Sequence, residues 1–255
     1  MSCPPLTLSA DNLSLAFGGV QALQGASLNI APGQITGIVG PNGAGKSTLF
    51  DILAGSARPA TGAVRLDGRD ITHLPLHKRA RLGIARTFQL ARELDSLTVL
   101  ENLLLASPDH PGEQLWRCFA GRAAVRRVET QALDKAHSLL RKVRLSALAN
   151  QPAGALSGGQ KKLLELARAL MLEPSLLLLD EPAAGVSPAL LEELCAFILQ
   201  LKAQGITFAI VEHNMDVIAT LCDSLYVLAQ GKVLTHGSFA AVTADPRVIH
   251  AYLGA

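Results

Sequence analysis

Short apolar runs alternate with amphipathic, helix-like segments along most of the chain. Four runs are apolar almost without interruption and are typical of strands buried on both faces, at 34–39, 175–179, 206–211 and 224–228. Strands alternating with helices predict a largely parallel sheet with helices packed on its faces. We therefore expect an α/β fold whose ligand site lies where the strands end.

The beginning of the chain has a different pattern. Apolar residues alternate loosely from 6 to 30, around the pair Gly18-Gly19, which predicts antiparallel strands at one edge of the molecule. Asp67-Gly68 is a hairpin-type turn directly after the apolar segment 64–66. The mostly parallel core sheet is therefore expected to carry an antiparallel β edge.

The middle of the chain, by contrast, has little strand signal. Segment 125–143 carries apolar residues at helical spacing with basic and acidic residues between them, which predicts a helical subdomain. We expect one domain over 1–255, because this length also suits one α/β domain with an insertion. Its predicted parts are a core with the β edge, at 1–89 and 156–255, and a helical subdomain at 90–155.

Composition excludes several classes of protein. The 255 residues are 49% hydrophobic and 17% charged, so the chain can bury a large core. The formal net charge is +2, which gives no reason to expect nucleic acid as a partner. No apolar run approaches the ~20 residues that span a bilayer, and the first residues have no secretory pattern, so we expect a cytoplasmic protein. The four cysteines show no CxxC spacing and suit reduced thiols better than a disulfide framework or a zinc site. They are Cys3, Cys118, Cys195 and Cys222.

The strongest chemical signal follows the first buried strand. An eight-residue run there matches GxxxxGK[ST] and leads into an apolar helical segment that begins at Thr48. Backbone N–H groups of such a loop surround phosphate oxygens, Lys46 reaches the β- and γ-phosphates, and the Ser47 hydroxyl holds Mg²⁺. An ordinary glycine-rich turn is the alternative, but the strand and helix around the motif favour a nucleoside triphosphate site. The run is Gly40-Pro41-Asn42-Gly43-Ala44-Gly45-Lys46-Ser47.

A second signal is the acidic pair Asp180-Glu181, which follows a strand of four leucines. Successive side chains of an extended chain face opposite ways, so Asp180 can approach Mg²⁺ while Glu181 points toward a water placed for attack on phosphorus. An acidic pair can also simply cap the next helix. The phosphate loop favours the catalytic interpretation.

A third signal precedes the amphipathic helical segment 161–171. Ser157 is a candidate N-cap, and glycines at the next two positions leave helix-start N–H groups accessible to an anion. Alone, this pattern is most often only a cap and a flexible turn. The segment reads Leu156-Ser157-Gly158-Gly159-Gln160.

With these motifs together, the whole chain resembles an ATP-binding subunit of an ABC transporter, since LSGGQ is the signature of that family. The resemblance implies ATP and Mg²⁺ as ligands, and two copies paired head to tail, each signature helix covering the ATP of the other copy. It also implies roles for three single residues. Gln89 would be the glutamine that reaches the metal and the attacking water, His213 the switch histidine on the γ-phosphate, and Phe17 the aromatic that stacks on adenine.

Without the resemblance, each of these three residues has an ordinary explanation. Gln89 suits a solvated polar residue, His213 a histidine at a strand end, and Phe17 a core residue. The chain also departs from the family pattern after Glu181, because Ser187 stands where members usually carry Asp. A hydroxyl can hydrogen-bond across a dimer interface but brings no charge.

Four further sequence segments resemble those of the ATPase subunits of branched-chain or hydrophobic amino acid importers. Subunits for urea import or lipopolysaccharide export are the alternatives. The resemblance implies a homodimer or a heterodimer with a second ABC ATPase, integral-membrane permease subunits, an indirect periplasmic or lipid-anchored binding protein, and a peripheral place on the cytoplasmic face of the membrane. The segments that carry it are 83–89, 180–188, 211–218 and 245–254.

Three other classes of protein would have sequence features that differ from those of this chain. A soluble ABC ATPase acting on DNA or ribosomes would have a long coiled-coil or zinc-bearing insertion, or two fused cassettes. A nucleotide-binding scaffold without activity would lack Glu181 or Lys46, and both are present. A small-molecule kinase with a phosphate loop would have no use for LSGGQ.

Overall fold

The computed structural model describes residues 6–87, 94–108 and 122–253. The chain packs as two compact units, and the first comprises 1–87, 174–184 and 188–255. The second comprises 88–173 and 185–187, so the segment 156–173 packs with the helical middle. The predicted division into a core, at 1–89 and 156–255, and a helical subdomain, at 90–155, stays a prediction.

The first unit contains two sheets. The strands are β1 (Leu8–Phe17), β2 (Val20–Ile30), β3 (Ile35–Val39), β4 (Thr61–Leu66), β5 (Arg69–Asp70), β6 (Ile84–Arg86), β7 (Leu176–Asp180), β8 (Thr207–Val211), β9 (Ser224–Ala229) and β10 (Lys232–Gly237). The six-stranded sheet has the order β10-β9-β3-β8-β7-β6, with parallel pairing from β9 to β6 and antiparallel pairing of β10 with β9. The predicted α/β class with a mostly parallel core sheet is confirmed.

The second sheet is the antiparallel edge predicted from the start of the chain. Its order is β2-β1-β4-β5, and all its pairings are antiparallel. β1 and β2 are joined by Gly18-Gly19, whose φ angles of 52° and 89° suit glycine. The turn Asp67-Gly68 joins β4 to β5, as the sequence predicts.

The described helices are α1 (Lys46–Ala54), α2 (Leu76–Arg81), α3 (Val99–Leu105), α4 (Arg122–Lys142), α5 (Gly158–Leu170), α6 (Pro188–Ala203), α7 (Met215–Leu221), α8 (Phe239–Thr243) and α9 (Pro246–Leu253). Helices α3, α4 and α5 belong to the second unit. None of the helices within the described residues is long and apolar enough to cross a membrane.

The main core of the first unit joins both sheets through α1. Phe50 and Leu53 of α1 are fully buried in the same cluster as Leu13 of β1, Ile38 of β3 and Leu178 of β7. Burial of such side chains contributes roughly 1.5–3 kcal/mol each, so this cluster fixes α1 against the strand that precedes it.

A buried arginine fixes the other end of α1. The Arg79 guanidinium is fully buried and donates hydrogen bonds to the carbonyl oxygens of Ile52 and Leu53, both at 2.7 Å, and of Leu74 and Thr72 at 2.9 and 3.0 Å. Burial lowers the pKa of Arg79 to about 10. A cation at a helix C-terminus satisfies carbonyls that have no partner within the helix and complements the helix dipole.

Candidate functional site

The loop between β3 and α1 has a backbone that only glycine adopts easily. Gly40, Gly43 and Gly45 have φ angles of 151°, 76° and 100°. A Cβ on Gly40 would lie 2.1 Å from the carbonyl oxygen of Leu228, and one on Gly45 would lie 2.4 Å from that of Ala22. The glycines predicted from the motif are therefore required by close backbone packing as well as by backbone conformation.

Lys46, the first residue of α1, folds back over this loop. Its Nζ donates to the carbonyl oxygens of Gly40 at 2.8 Å and Pro41 at 2.9 Å, and the residue is buried. Burial lowers the pKa of the Lys46 ammonium, whereas the negative charges of Glu181 and Asp180 act in the opposite direction. The structure therefore brings the predicted lysine and the predicted acidic pair into one electrostatic site.

The other loop positions differ in how far they face solvent. Asn42, Gly43 and Ser47 are exposed, Thr48 is half-buried and Ala44 is buried. A Cβ built on Gly43 would meet nothing within 4 Å. The outer side of the loop is therefore open to a ligand.

Asp180 ends β7 and is held by an arginine that the sequence analysis did not single out. Arg86 Nη2 lies 2.9 Å from Asp180 Oδ2, and Arg86 Nη1 also pairs with Asp51 of α1. The Arg86 side chain is only 9% exposed, whereas the Asp180 and Asp51 side chains are 28% and 41% exposed, so the guanidinium is desolvated and its two partners keep access to solvent. The only sequence signal was the position of Arg86 at the end of a short apolar segment, three residues before Gln89.

Glu181 and His213 meet beside this network. His213 Nε2 lies 3.2 Å from Glu181 Oε1, and both side chains are close to half exposed. Glu181 has a φ of 46°, a conformation uncommon for a residue with a side chain, while its N–H donates to the Val211 carbonyl oxygen at 2.9 Å. The structure therefore brings together two residues that lie 32 positions apart in the sequence.

In the second unit, Ser157 is the N-cap of α5, as the sequence predicts. Its Oγ accepts from the Gln160 N–H at 3.3 Å, while the Ser157 N–H donates to Gln160 Oε1 at 2.9 Å, which completes a capping box. Gly158 packs closely, because a Cβ there would lie 3.2 Å from the carbonyl oxygen of Gly185. Gly159 is buried. This helix start therefore has side-chain caps of its own.

The remaining predicted positions are Phe17, Ser187 and Gln89, and the structure describes only the first two of them. Phe17 ends β1 with 57% of its surface exposed, so its ring is available for stacking. Ser187 lies with Gly185 in the second unit. Gln89 lies outside the described residues.

The residues present fit a nucleoside triphosphate and Mg²⁺. Positive-φ glycines and the start of α1 provide the backbone that surrounds phosphate in such loops. Ser47 and Asp180 offer a hydroxyl and a carboxylate, and Mg²⁺ prefers oxygen ligands and is usually held by one or two carboxylates with substrate phosphates and water. Among the described residues, no three His, Cys, Asp or Glu side chains group as a metal site made by protein alone. A metal held jointly with phosphate suits this donor set.

Fold and loop thus define an ATP-binding protein with a phosphate loop, and comparisons with known proteins specify its family. Residues 23–184 match the family described as ABC transporter. The chain therefore belongs to the ABC transporter family, as an ATPase subunit.

Named relatives match almost the whole chain. It is 41% identical to the probable branched-chain amino acid transport ATP-binding protein LivG of Archaeoglobus fulgidus, covering 97% of this chain and 95% of that protein. It is 40% identical to the high-affinity branched-chain amino acid transport ATP-binding protein BraF of Pseudomonas aeruginosa, over 100% of this chain and 99% of that protein. A crystal structure of a nucleotide-free ATP-binding cassette from an ABC transporter matches with a TM-score of 0.87 and 38% identity, covering 98% of this chain and 100% of that one.

Proposed function

We propose that the chain binds Mg-ATP at the loop 40–47 and hydrolyses it with Glu181 and His213, to power uptake of branched-chain or other hydrophobic amino acids. The observation that carries this proposal is the 3.2 Å contact between Glu181 Oε1 and His213 Nε2, next to a buried Lys46 on the phosphate loop. Phosphoryl transfer needs mostly positioning and charge stabilisation, and these side chains supply both.

The loop 40–47 and the start of α1 bind the phosphates. The backbone N–H groups from Gly40 to Thr48 and the Lys46 ammonium bind the phosphate oxygens. Ser47 and Asp180, with Gln89, would hold Mg²⁺, which would neutralise charge on the phosphates. Phe17 stacks on the adenine ring.

Glu181 and His213 have different roles at the γ-phosphate. A carboxylate can orient a water and accept its proton, and an imidazole N–H can donate to a phosphate oxygen. The 3.2 Å contact allows the two side chains to hold one another in place. Because His213 Nε2 lies 3.2 Å from Glu181 Oε1, a phosphate oxygen that accepts from the imidazole would bind beside the carboxylate.

The signature segment 156–160 acts on the ATP bound by a second subunit. The second subunit is another copy of the chain or a related ABC ATPase. Ser157, Gly158, Gly159 and Gln160 start a helix whose amides suit an anion, and the Ser157 hydroxyl can donate to phosphate. ATP binding closes the dimer, and hydrolysis lets the subunits part.

Transport requires partners that span the membrane. The relatives named for branched-chain amino acid transport support permease subunits as partners. We further propose that a periplasmic or lipid-anchored binding protein acts indirectly and that the chain has a peripheral position on the cytoplasmic face of the membrane. Purification of the tagged chain from detergent-solubilised membranes is expected to recover integral-membrane proteins with it. Recovery of the chain alone would argue against this part of the proposal.

Glu181→Gln tests the catalytic part. The variant is expected to lose turnover by about 100-fold or more, because an amide cannot take up a proton from water. It should still bind ATP and accumulate as a dimer with Mg-ATP in size-exclusion chromatography.

Glu192→Gln, an exposed change on α6, is the matched control and should keep the activity of the unaltered chain. Unchanged turnover in Glu181→Gln would contradict the catalytic assignment. Specific activity that does not depend on protein concentration would contradict the dimer.

A further inference from the structure

A buried carboxylate lies between the two loops that carry the catalytic pair. Glu212 follows β8 directly, precedes His213 and is only 4% exposed. An ionised side chain in such a place needs hydrogen bonds that replace its lost hydration. Its hydrogen-bond partners therefore indicate what the carboxylate does.

The partners are backbone amides from both loops. Glu212 Oε1 accepts from the N–H of Ala183 at 2.7 Å, two residues after Glu181. Glu212 Oε2 accepts from the N–H groups of His213 at 2.8 Å and Asn214 at 3.1 Å. One carboxylate therefore joins the loop after β7 to the loop after β8.

These hydrogen bonds surround the point where the catalytic side chains meet. Glu181 is already tied to the Val211 carbonyl oxygen through its own N–H and adopts a φ of 46°. The Glu212 bonds hold Ala183, two residues after Glu181, and the amides of His213 and Asn214, while the side chains of Glu181 and His213 approach to 3.2 Å. A strained backbone persists only where its surroundings determine it, and the Glu212 bond to Ala183 is one of the contacts that fix the loop after Glu181.

We propose that Glu212 is a positioning residue that sets the geometry of Glu181 and His213 for hydrolysis. This inference rests on the proposed function, since it assigns the purpose of the bonds to that reaction. Both carboxylate oxygens are needed, because each accepts from a different loop. A glutamine at 212 has one acceptor oxygen, and its amide nitrogen would face an N–H donor on one of the two sides.

Glu212→Gln is the test, with Glu192→Gln as the exposed control. A shift of about 1 Å in a catalytic group costs on the order of 100-fold in rate, so kcat should fall by about 10- to 100-fold. The dissociation constant for ATP should change by less than about twofold, because the phosphate loop makes no hydrogen bond with Glu212 among those seen in the described residues.

A double-mutant cycle with His213→Ala separates positioning from general loosening of the fold. In the His213→Ala background, only the positioning of Glu181 remains for Glu212 to affect, so Glu212→Gln should lower kcat by a clearly smaller factor than in the unaltered chain. A full 10- to 100-fold further loss in that background would overturn the proposal, as would an unchanged kcat in the single variant. If Glu212→Gln does not fold, Glu212→Asp enters the same cycle with the same criteria, because its stem is one methylene shorter and cannot keep the bonds to both loops without a shift of the backbone.

The two proposals fail in different ways. If Glu181→Gln and His213→Ala both keep full turnover, the proposed function is wrong whatever Glu212 does. If those two variants lose turnover while Glu212→Gln keeps it, only the positioning role is wrong.

Discussion

Two helix starts were predicted to bind phosphate, and the structure builds them in opposite ways. Helix α1 begins after Gly45, which has a left-handed backbone and gives no side-chain cap. Helix α5 begins after Ser157, whose side chain and that of Gln160 form a capping box. One start is left open for a ligand, and the other is stable by itself.

The two helix starts differ in which of their backbone N–H groups already have a hydrogen-bond partner. The first N–H groups of a helix have no partner within it, and a capping box satisfies two donors at such a start. At α1 the residue that closes over the loop is Lys46, a donor, and its ammonium group donates to the carbonyl oxygens of Gly40 and Pro41. We infer that the start of α1 provides most of the affinity for phosphate, whereas the start of α5 adds orientation.

Lys46→Ala should have the largest effect on this comparison. Removing one partner of a buried, hydrogen-bonded charge pair costs about 2–5 kcal/mol, so ATP affinity should fall by roughly 30- to 5,000-fold. Isothermal titration calorimetry measures the change. Lys232→Ala, at an exposed lysine of β10, is the control that should keep its affinity. Equal affinity in the Lys46 variant would mean that the open start is not the main phosphate site.

Gly45→Ala tests whether the uncapped start is enforced by packing. A methyl group there would lie 2.4 Å from the Ala22 carbonyl oxygen, at a φ of 100°. Overpacking and a left-handed backbone together should lower the free energy of unfolding by about 2–4 kcal/mol, measured by urea denaturation.

Gly68→Ala is the matched control for this change. Gly68 has a φ of 79° and nothing within 4 Å of the added methyl group, so only the backbone term remains, about 1–2 kcal/mol. Equal losses for the two variants would show that packing against Ala22 does not matter.

Ser157→Ala should have a smaller effect, and Thr98→Ala is its control. Thr98 forms the same kind of capping box with Glu101 at the start of α3. Each variant should lose about 1 kcal/mol of stability in urea denaturation. If the Ser157 hydroxyl also contacts phosphate, only Ser157→Ala should lower ATP turnover as well, by roughly tenfold. Equal turnover in both variants would limit Ser157 to capping.

Regular features of this molecule could be predicted from local sequence, because period and turn chemistry determine them. The strand over Leu176–Asp180 and the turn Asp67-Gly68 lie where the apolar runs and the turn pair put them. The capping box at Ser157 also follows from four consecutive residues.

The long-range polar network could not be predicted in the same way. Arg86 reaches Asp180 across 94 positions, and Glu212 reaches the amide of Ala183 across 29. Neither pairing has a local period, because each depends on which strands become neighbours in the sheet. The proximity of Glu181 and His213 had support only from the resemblance to a family.

The start of α9, a third helix start, should give the smallest effect, and it tests how much the charge of a capping side chain contributes to stability. Asp245 precedes α9, and its Oδ1 accepts from the N–H of Arg247 at 2.9 Å. Side-chain hydrogen bonds from Arg247, followed by its backbone N–H, lower the pKa of Asp245 to about 2 from 3.8. Because the folded-state pKa is the lower one, the ionised cap stabilises the fold above pH 3.8, and this contribution is lost as the pH falls toward 2. Asp245→Asn should therefore be slightly less stable than the unaltered chain in urea at pH 6, and the difference should shrink at pH 3. A difference of equal size at both pH values would mean that the charge of Asp245 adds nothing to its role as a cap.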